Sequence, residues 1–266
     1  PDPVLQQVEH FNNPGITQND AFKSVTRYFD RITRPEQILQ TLPQAIQVLL
    51  DPADCGPACI SLSQDIQGET YEYPEEFFIE RVHNIRRPKP DDFQVKQAVE
   101  KIKNSKNPII ISGGGVFYSN AMEELSSFAI KHNIPVTQTV MGYSSMKRDH
   151  SHFLGPIGGL GGKAANNLAK QTDLAIAIGT KLADFTTGSW ANFENPEFKL
   201  ISINVSRFDA NKHMASSVIG DAKVSLNELS QALGNWKAPD AWHKKSVNEL
   251  KSCLLYTSDA ADEEAS

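Results

Sequence analysis

The sequence predicts an α/β protein whose larger part is a doubly wound parallel sheet. Three observations point there. Short apolar runs at Pro108–Ser112, Leu174–Ile178 and Lys199–Asn204 have strand length and lack the strict alternation of a sheet wetted on one side. Segments of helical period separate them. Glycines follow two of the runs, at 113–115 and 179, and a glycine-rich stretch at 155–162 precedes a helix.

Thr33-Arg-Pro-Glu36 has capping-box spacing, with Thr33 as N-cap and Glu36 reaching back to it. Ile38, Leu39, Leu42, Ala45, Ile46 and Leu49 then form one helical face. Pro43 inside that pattern is expected to kink or divide the helix, and Asp51-Pro52 to stop it. Ala58–Leu62 reads as a strand apolar enough for burial in a parallel sheet. Residues 1–70 therefore read as the closing part of an α/β domain.

Residues 71–92 read as a linker, because Tyr71 to Phe78 and Arg86-Arg-Pro-Lys-Pro90 mix aromatics, prolines and charges without a period. A second domain, 93–236, follows. Val95, Ala98, Val99 and Ile102 mark its first helix, and Gly113-Gly-Gly115 the turn after its first strand. Met122, Leu125, Phe128 and Ala129 mark a helix ahead of a strand at Pro135–Thr139. A helix over Ala164–Lys170 precedes the strand Leu174–Ile178. After the strands Lys199–Asn204 and Ser217–Ile219, Asp221 caps a final helix through Leu226, Leu229 and Leu233. Residues 237–252 read as the start of a further linker. Buried strands alternating with helices make this domain Rossmann-like.

Composition excludes several function classes. The 266 residues carry 26 basic and 32 acidic side chains, a formal −6, and no basic cluster is interleaved with aromatics. Nucleic acid is therefore not an expected partner. Apolar runs such as Leu174–Ile178 are too short to span a bilayer. Cys55 and Cys59 have the spacing of neither a redox motif nor a zinc pair, so they read as ordinary reduced cysteines.

In a parallel sheet, ligands bind beyond the carboxyl ends of the strands. The loops there make Gly113, Gly114, Gly179 and Asp184 the candidate cofactor-binding residues, since glycines let backbone amides approach a phosphate. The competing reading is tight turns holding no ligand: Gly113 to Tyr118 lacks the third glycine of the dinucleotide fingerprint. Asp184 with Thr186, Thr187 and Ser189 reads either as a polar cluster on substrate or as a helix cap. Arg207 and Lys212 read as an anion contact or as solvated charges. His150 and His152 lack a surrounding ligand set and read as a solvated loop. No nucleophile–base pair is legible, so no catalytic or metal-binding residue is assigned.

The motifs Arg34-Pro-Glu36, Asp51 to Pro57, Gln64 to Gln67, Ile111 to Gly115, Asp184 to Ser189 and Ile203 to Arg207 add a resemblance. Across residues 1–233 the chain is similar to thiamine-diphosphate enzymes of the acetolactate-synthase type. Two departures stand out: Ser63 where that pattern has proline, and Met141-Gly-Tyr143 where it has Ala-Gly-Lys. The resemblance implies that 1–70 is the C-terminal part of a pyrimidine-binding domain and 93–236 the central domain. It implies thiamine diphosphate and Mg²⁺ as the parent enzyme's cofactors, with none expected to bind this internal piece. It further implies a homodimer or homotetramer, a small-molecule substrate and a cytoplasmic setting. The narrower motifs at 184–189 and 203–207 suggest a branch that opens a cyclic dione with water. Acetolactate synthase, or a related carbon–carbon lyase or ligase, is the alternative. A stand-alone nucleotide-binding module would need a catalytic histidine in a cofactor cleft or zinc-spaced cysteines. Residues 253–266 resemble a translated sequencing adapter, and the fold reading sets them aside.

Overall fold

The computed structural model describes residues 9–263. The chain divides into two compact units, 1–86 and 87–266.

In the first unit, β1 (Glu9–His10) and β2 (Asn13–Thr17) pair antiparallel. β3 (Tyr28–Ile32) and β4 (Ala58–Leu62) pair parallel, and α1 (Ile38–Leu50) connects them. The sequence reading missed β3, because Asp30 and Arg31 interrupt its apolar run. Asp30 has a structural use: its carboxylate accepts from the Thr41 hydroxyl of α1 at 2.5 Å. The expected cap also differs. Gln37, not Glu36, reaches back, its side-chain oxygen accepting from the amides of Thr33 (2.6 Å) and Arg34 (2.9 Å). A 3₁₀ turn at Pro35–Gln37 shifts the register by one residue and turns Glu36 towards Arg34. α1 runs through Pro43 undivided, with the proline as the sixth residue of the helix. Asp51 ends it, accepting from the amides of Ala53 and Asp54, both at 2.7 Å. Those two bonds hold the Asp51 carboxyl below its usual range.

β4 is less buried than its composition suggests: only Ser61 is fully covered, and Leu62 is exposed. α2 (Gln64–Gln67) follows it. The segment beyond is irregular apart from a 3₁₀ turn at Glu75–Phe78, as its lack of period implies. Its aromatics Tyr73, Phe77 and Phe78 pack on one another, and the Tyr73 hydroxyl donates to the Pro35 carbonyl at 3.4 Å.

The second unit is a six-stranded, wholly parallel sheet. Its members are β5 (Pro108–Ser112), β6 (Val136–Gln138), β7 (Phe153–Pro156), β8 (Leu174–Ile178), β9 (Lys199–Asn204) and β10 (Ser216–Ile219). They lie in the order β10-β9-β8-β5-β6-β7. The α/β doubly wound expectation is met. β7 was not foreseen, because Gly155 and Pro156 read as loop residues; at the sheet edge a proline costs no ladder bond.

Six helices complete the unit with α3 (Asp92–Asn104) in front: α4 (Gly114–Tyr118), α5 (Met122–His132), α6 (Lys163–Ala169), α7 (Asp184–Thr187), α8 (Arg207–Ala210) and α9 (Ala222–Leu233). α10 (Asp240–Glu263) follows. Alternate side chains of the strands feed two cores. Ile110, Ile176 and Ile203 join α3, α5 and α9 on one face. Ile109, Ile111 and Ala177 join α6 and Trp242 of α10 on the other. Each fully buried isoleucine contributes about 1.5–3 kcal/mol. The chain beyond 236, read as the start of a linker, here becomes a helix whose Trp242 is 4% exposed and whose indole donates to the Pro108 carbonyl at 2.8 Å. That burial binds it to the central unit.

Candidate functional site

β5 and β8 are neighbours at the middle of the sheet, and from there the strand order runs outward in both directions. This is a topological switch point, where connecting loops diverge and leave a crevice beyond the strand ends. The loops after β5 and β8 carry the four candidate residues.

Gly113, Gly115 and Gly179 meet backbone to backbone. A Cβ on Gly113 would lie 2.4 Å from the Gly179 carbonyl oxygen, and one on Gly179 2.5 Å from the Gly115 Cα. Gly179 also has φ +60°, a conformation that disfavours side chains. The amides are committed within the loops. Gly113 N–H donates to the Ile178 carbonyl (2.8 Å), Gly115 N–H to the Gly179 carbonyl (2.9 Å), and Gly179 N–H to the Ile203 carbonyl (2.8 Å). Gly113–115 is not a free turn: Gly113 is the N-cap of α4, and Gly114 stands against Met141. The glycines thus close the loops on one another, and their geometry serves that packing.

Asp184 opens α7 and is exposed. Its carboxylate accepts from the Ser189 hydroxyl at 3.1 Å, and its carbonyl from the Thr187 hydroxyl and the Ser189 amide, both at 3.2 Å. Thr187 is fully buried. The Asp-Phe-Thr-Thr-Gly-Ser stretch is therefore one helical turn closed by left-handed Gly188 and Ser189. Lys212 pairs with Asp209 at 2.5 Å and lies over the Phe208 ring, so it does not stand ready beside Arg207.

Three asparagines to which the sequence reading assigns no individual role pin these loops. Asn166 of α6 accepts from the Gly158 amide and donates to its carbonyl, both at 3.0 Å. Asn192 donates to the Asn166 side-chain oxygen at 3.3 Å. Asn204, at the end of β9, donates to the Thr180 carbonyl at 3.2 Å and accepts from the Ser206 amide at 2.9 Å. Asparagine at a strand's carboxyl end was the available signal, since its amide can bridge two loops.

Strain gathers at the same edge. Ser144, Leu182 and Ser189, on the connections that leave β6 and β8, have positive φ. Such strain is held in place where surrounding structure over-determines it, which is common at ligand-binding loops. Met141, Tyr143, Leu160, Phe185 and Phe208, from four of these loops, expose apolar side chains. This edge offers shape and apolar contact, and the groups described supply no acid, base or nucleophile pair.

Among the described residues no group of three histidine, cysteine or carboxylate side chains is placed to hold a metal ion. Among those residues no helix is long and apolar enough to cross a membrane. His150 and His152, expected in a solvated loop, lie at the opposite, amino-terminal edge of the sheet. His152 is 7% exposed there because α10 covers it.

A family model described as "Thiamine pyrophosphate enzyme, central domain" matches residues 95–229. A 3D-(3,5/4)-trihydroxycyclohexane-1,2-dione hydrolase of Clostridium perfringens (strain 13 / Type A) is 49% identical over 252 residues, 95% of this chain and 39% of its own length. The protein of that name from Bacillus subtilis (strain 168) is 46% identical over 251 residues, 94% of this chain and 39% of its own. The one from Geobacillus thermodenitrificans is 43% identical over 254 residues, 92% and 39%. The chain thus spans about two fifths of the length of these relatives.

Proposed function

Because the chain belongs to the thiamine pyrophosphate enzymes, through their central domain, we propose that it is part of a hydrolase that opens trihydroxycyclohexane-1,2-dione to 5-deoxy-glucuronate in inositol breakdown. The observation that carries this reading is the 49% identity extending over 95% of the chain, through both compact units. Under it, residues 1–70 are the closing part of a pyrimidine-binding domain, 71–92 a connecting strap and 93–236 the central domain. The parent would work in the cytoplasm as a homodimer or homotetramer, with thiamine diphosphate and Mg²⁺.

The described residues of this chain do not themselves fit the cofactor. No acidic or histidine cluster is placed for the metal, and the amides of Gly113, Gly115 and Gly179 already have partners. Gly113, Gly114, Gly179 and Asp184 contribute by shape in this reading: the glycines bring the post-β5 and post-β8 loops together, and Asp184 with Ser189 fixes the rim beside them.

The test is a chimera in which this chain replaces the matching segment of the Clostridium perfringens relative. Purified with thiamine diphosphate and Mg²⁺, it should open the cyclic dione at a rate within about tenfold of the intact relative. A folded chimera that joins two pyruvate molecules and leaves the dione untouched would overturn the assignment in favour of acetolactate synthesis.

A further inference from the structure

The amino-terminal edge of the central sheet carries a cluster outside the candidate site. His150 and His152 end the connection into β7, and His243 lies in the first turn of α10. The His152 and His243 rings stack 4.1 Å apart at 17°, and the His150 ring is 5.7 Å from that of His152. His152 Nδ1 pairs with the Ser151 hydroxyl at 2.9 Å, and its Nε2 with the Asn133 side-chain oxygen at 3.3 Å. Asn133, the left-handed residue ending α5, donates onward to the Asp240 carboxylate (3.0 Å) and the Ala238 carbonyl (3.2 Å). His150 Nε2 and His243 Nδ1 are buried without a hydrogen-bond partner. The start of α10 thus meets the sheet edge through three imidazoles and one asparagine, beside the Trp242 anchor.

We propose that this cluster makes the attachment of α10 to the central unit respond to pH: neutral rings hold the helix down, and proton uptake by the stacked pair releases it. Two cations face to face at 4.1 Å would repel in a setting with little water to screen them. The charged groups around the cluster do not cancel that repulsion. Asp149 favours a proton on His150, and Asp240 one on His243, yet burial outweighs each and holds both rings below the ordinary histidine range. Burial, then His243 and His150, bring His152 down to about 4. Beyond Asn133, His132 is also held low by burial, opposed by its bond to the Trp236 carbonyl and reinforced by Lys131 and Lys237.

The direction follows from linkage. A solvated histidine binds its proton near 6.5 and the docked His152 at about 4, so the released state holds more protons between those values. Docking is complete above that window and weakens as pH falls through it. For one such ring the docking equilibrium changes about thirtyfold between pH 7.5 and 5.0.

Hydrogen exchange on the whole chain, corrected for intrinsic rates, reads this directly. A helix freed from its packing is marginal in water, so release opens its amides. Amides at 241–250 should lose about thirtyfold protection from pH 7.5 to 5.0, while those of α3 and β5 hold theirs. The double variant His152→Gln/His243→Phe keeps a hydrogen-bonding side chain and a stacking ring without the protons, and should flatten the response. Equal protection of 241–250 at both pH values in the unaltered chain would overturn the proposal, as would full pH dependence in the double variant. Should that variant fold poorly, imidazole titration of the unaltered chain decides: His152 protonating near 6.5 refutes the mechanism.

Discussion

The carbonyl oxygen of Gly179 lies 2.4 Å, and the Thr180 Cβ 2.5 Å, from the place a Cβ on Gly113 would occupy, so the two loops at the switch point leave no room for a side chain there. Gly113→Ala must push them apart or twist them, and overpacking of this kind costs about 1–3 kcal/mol. Gly162, with its nearest atom at 3.9 Å and φ −70°, is the control: Gly162→Ala should stay within about 0.5 kcal/mol. Urea unfolding of the two variants checks the difference.

Asp221 does two tasks at once. One carboxylate oxygen caps α9, accepting from Lys223 (3.0 Å) and Val224 (3.2 Å) amides, and the other receives Arg87 at 3.1 Å. Asp221→Ala removes both the cap and the carboxylate facing Arg87, a loss of about 2 kcal/mol. Asp221→Asn keeps an N-cap acceptor and should lose about half as much. Arg87→Ala should lose about 1 kcal/mol or less, because the guanidinium is one-third exposed and its pairing is screened. Thermal unfolding of the three variants should rank them in that order.

At the start of α1 the two candidate capping residues are adjacent and separable. Gln37→Ala removes the acceptor for Thr33 and Arg34 and should cost about 1 kcal/mol. Glu36→Ala removes a surface pair with Arg34 at 3.5 Å and should change stability by less than about 0.5 kcal/mol. Hydrogen exchange of amides 38–42 distinguishes them, with faster opening in Gln37→Ala alone.

Ser63 has φ −74° and ψ 154°, within proline's range, and its buried hydroxyl has no partner. Ser63→Pro should therefore stabilise the chain by about 0.4–1 kcal/mol, by narrowing the unfolded ensemble and deleting an unpaired polar group. A denaturation midpoint that falls on this substitution would refute the backbone argument.

Local signals were legible wherever period and capping agreed. Val95, Ala98, Val99 and Ile102 were read as one helical face, and all four are buried in α3. β5, β8 and β9 have the expected bounds because continuous apolar runs of that length are favourable only inside a covered parallel sheet. β3 and β7 escaped because charges interrupt the one and glycine and proline the other. The candidate loops were found from glycine and strand ends. The pinning roles of Asn166, Asn192 and Asn204 were not, since each acts on a loop from another element.

By itself the sequence determined the alternation of strand and helix, the cap at Asp221, and which faces seek burial. These depend on neighbours within a few residues. Tertiary structure alone decided that β5 and β8 lie side by side, that the amides of Gly113 and Gly179 are already taken, and that His152 stacks on His243 across 91 residues of chain. Those outcomes are set by which surfaces the packed sheet brings together, and no local pattern encodes a contact whose two halves meet only after the core has formed.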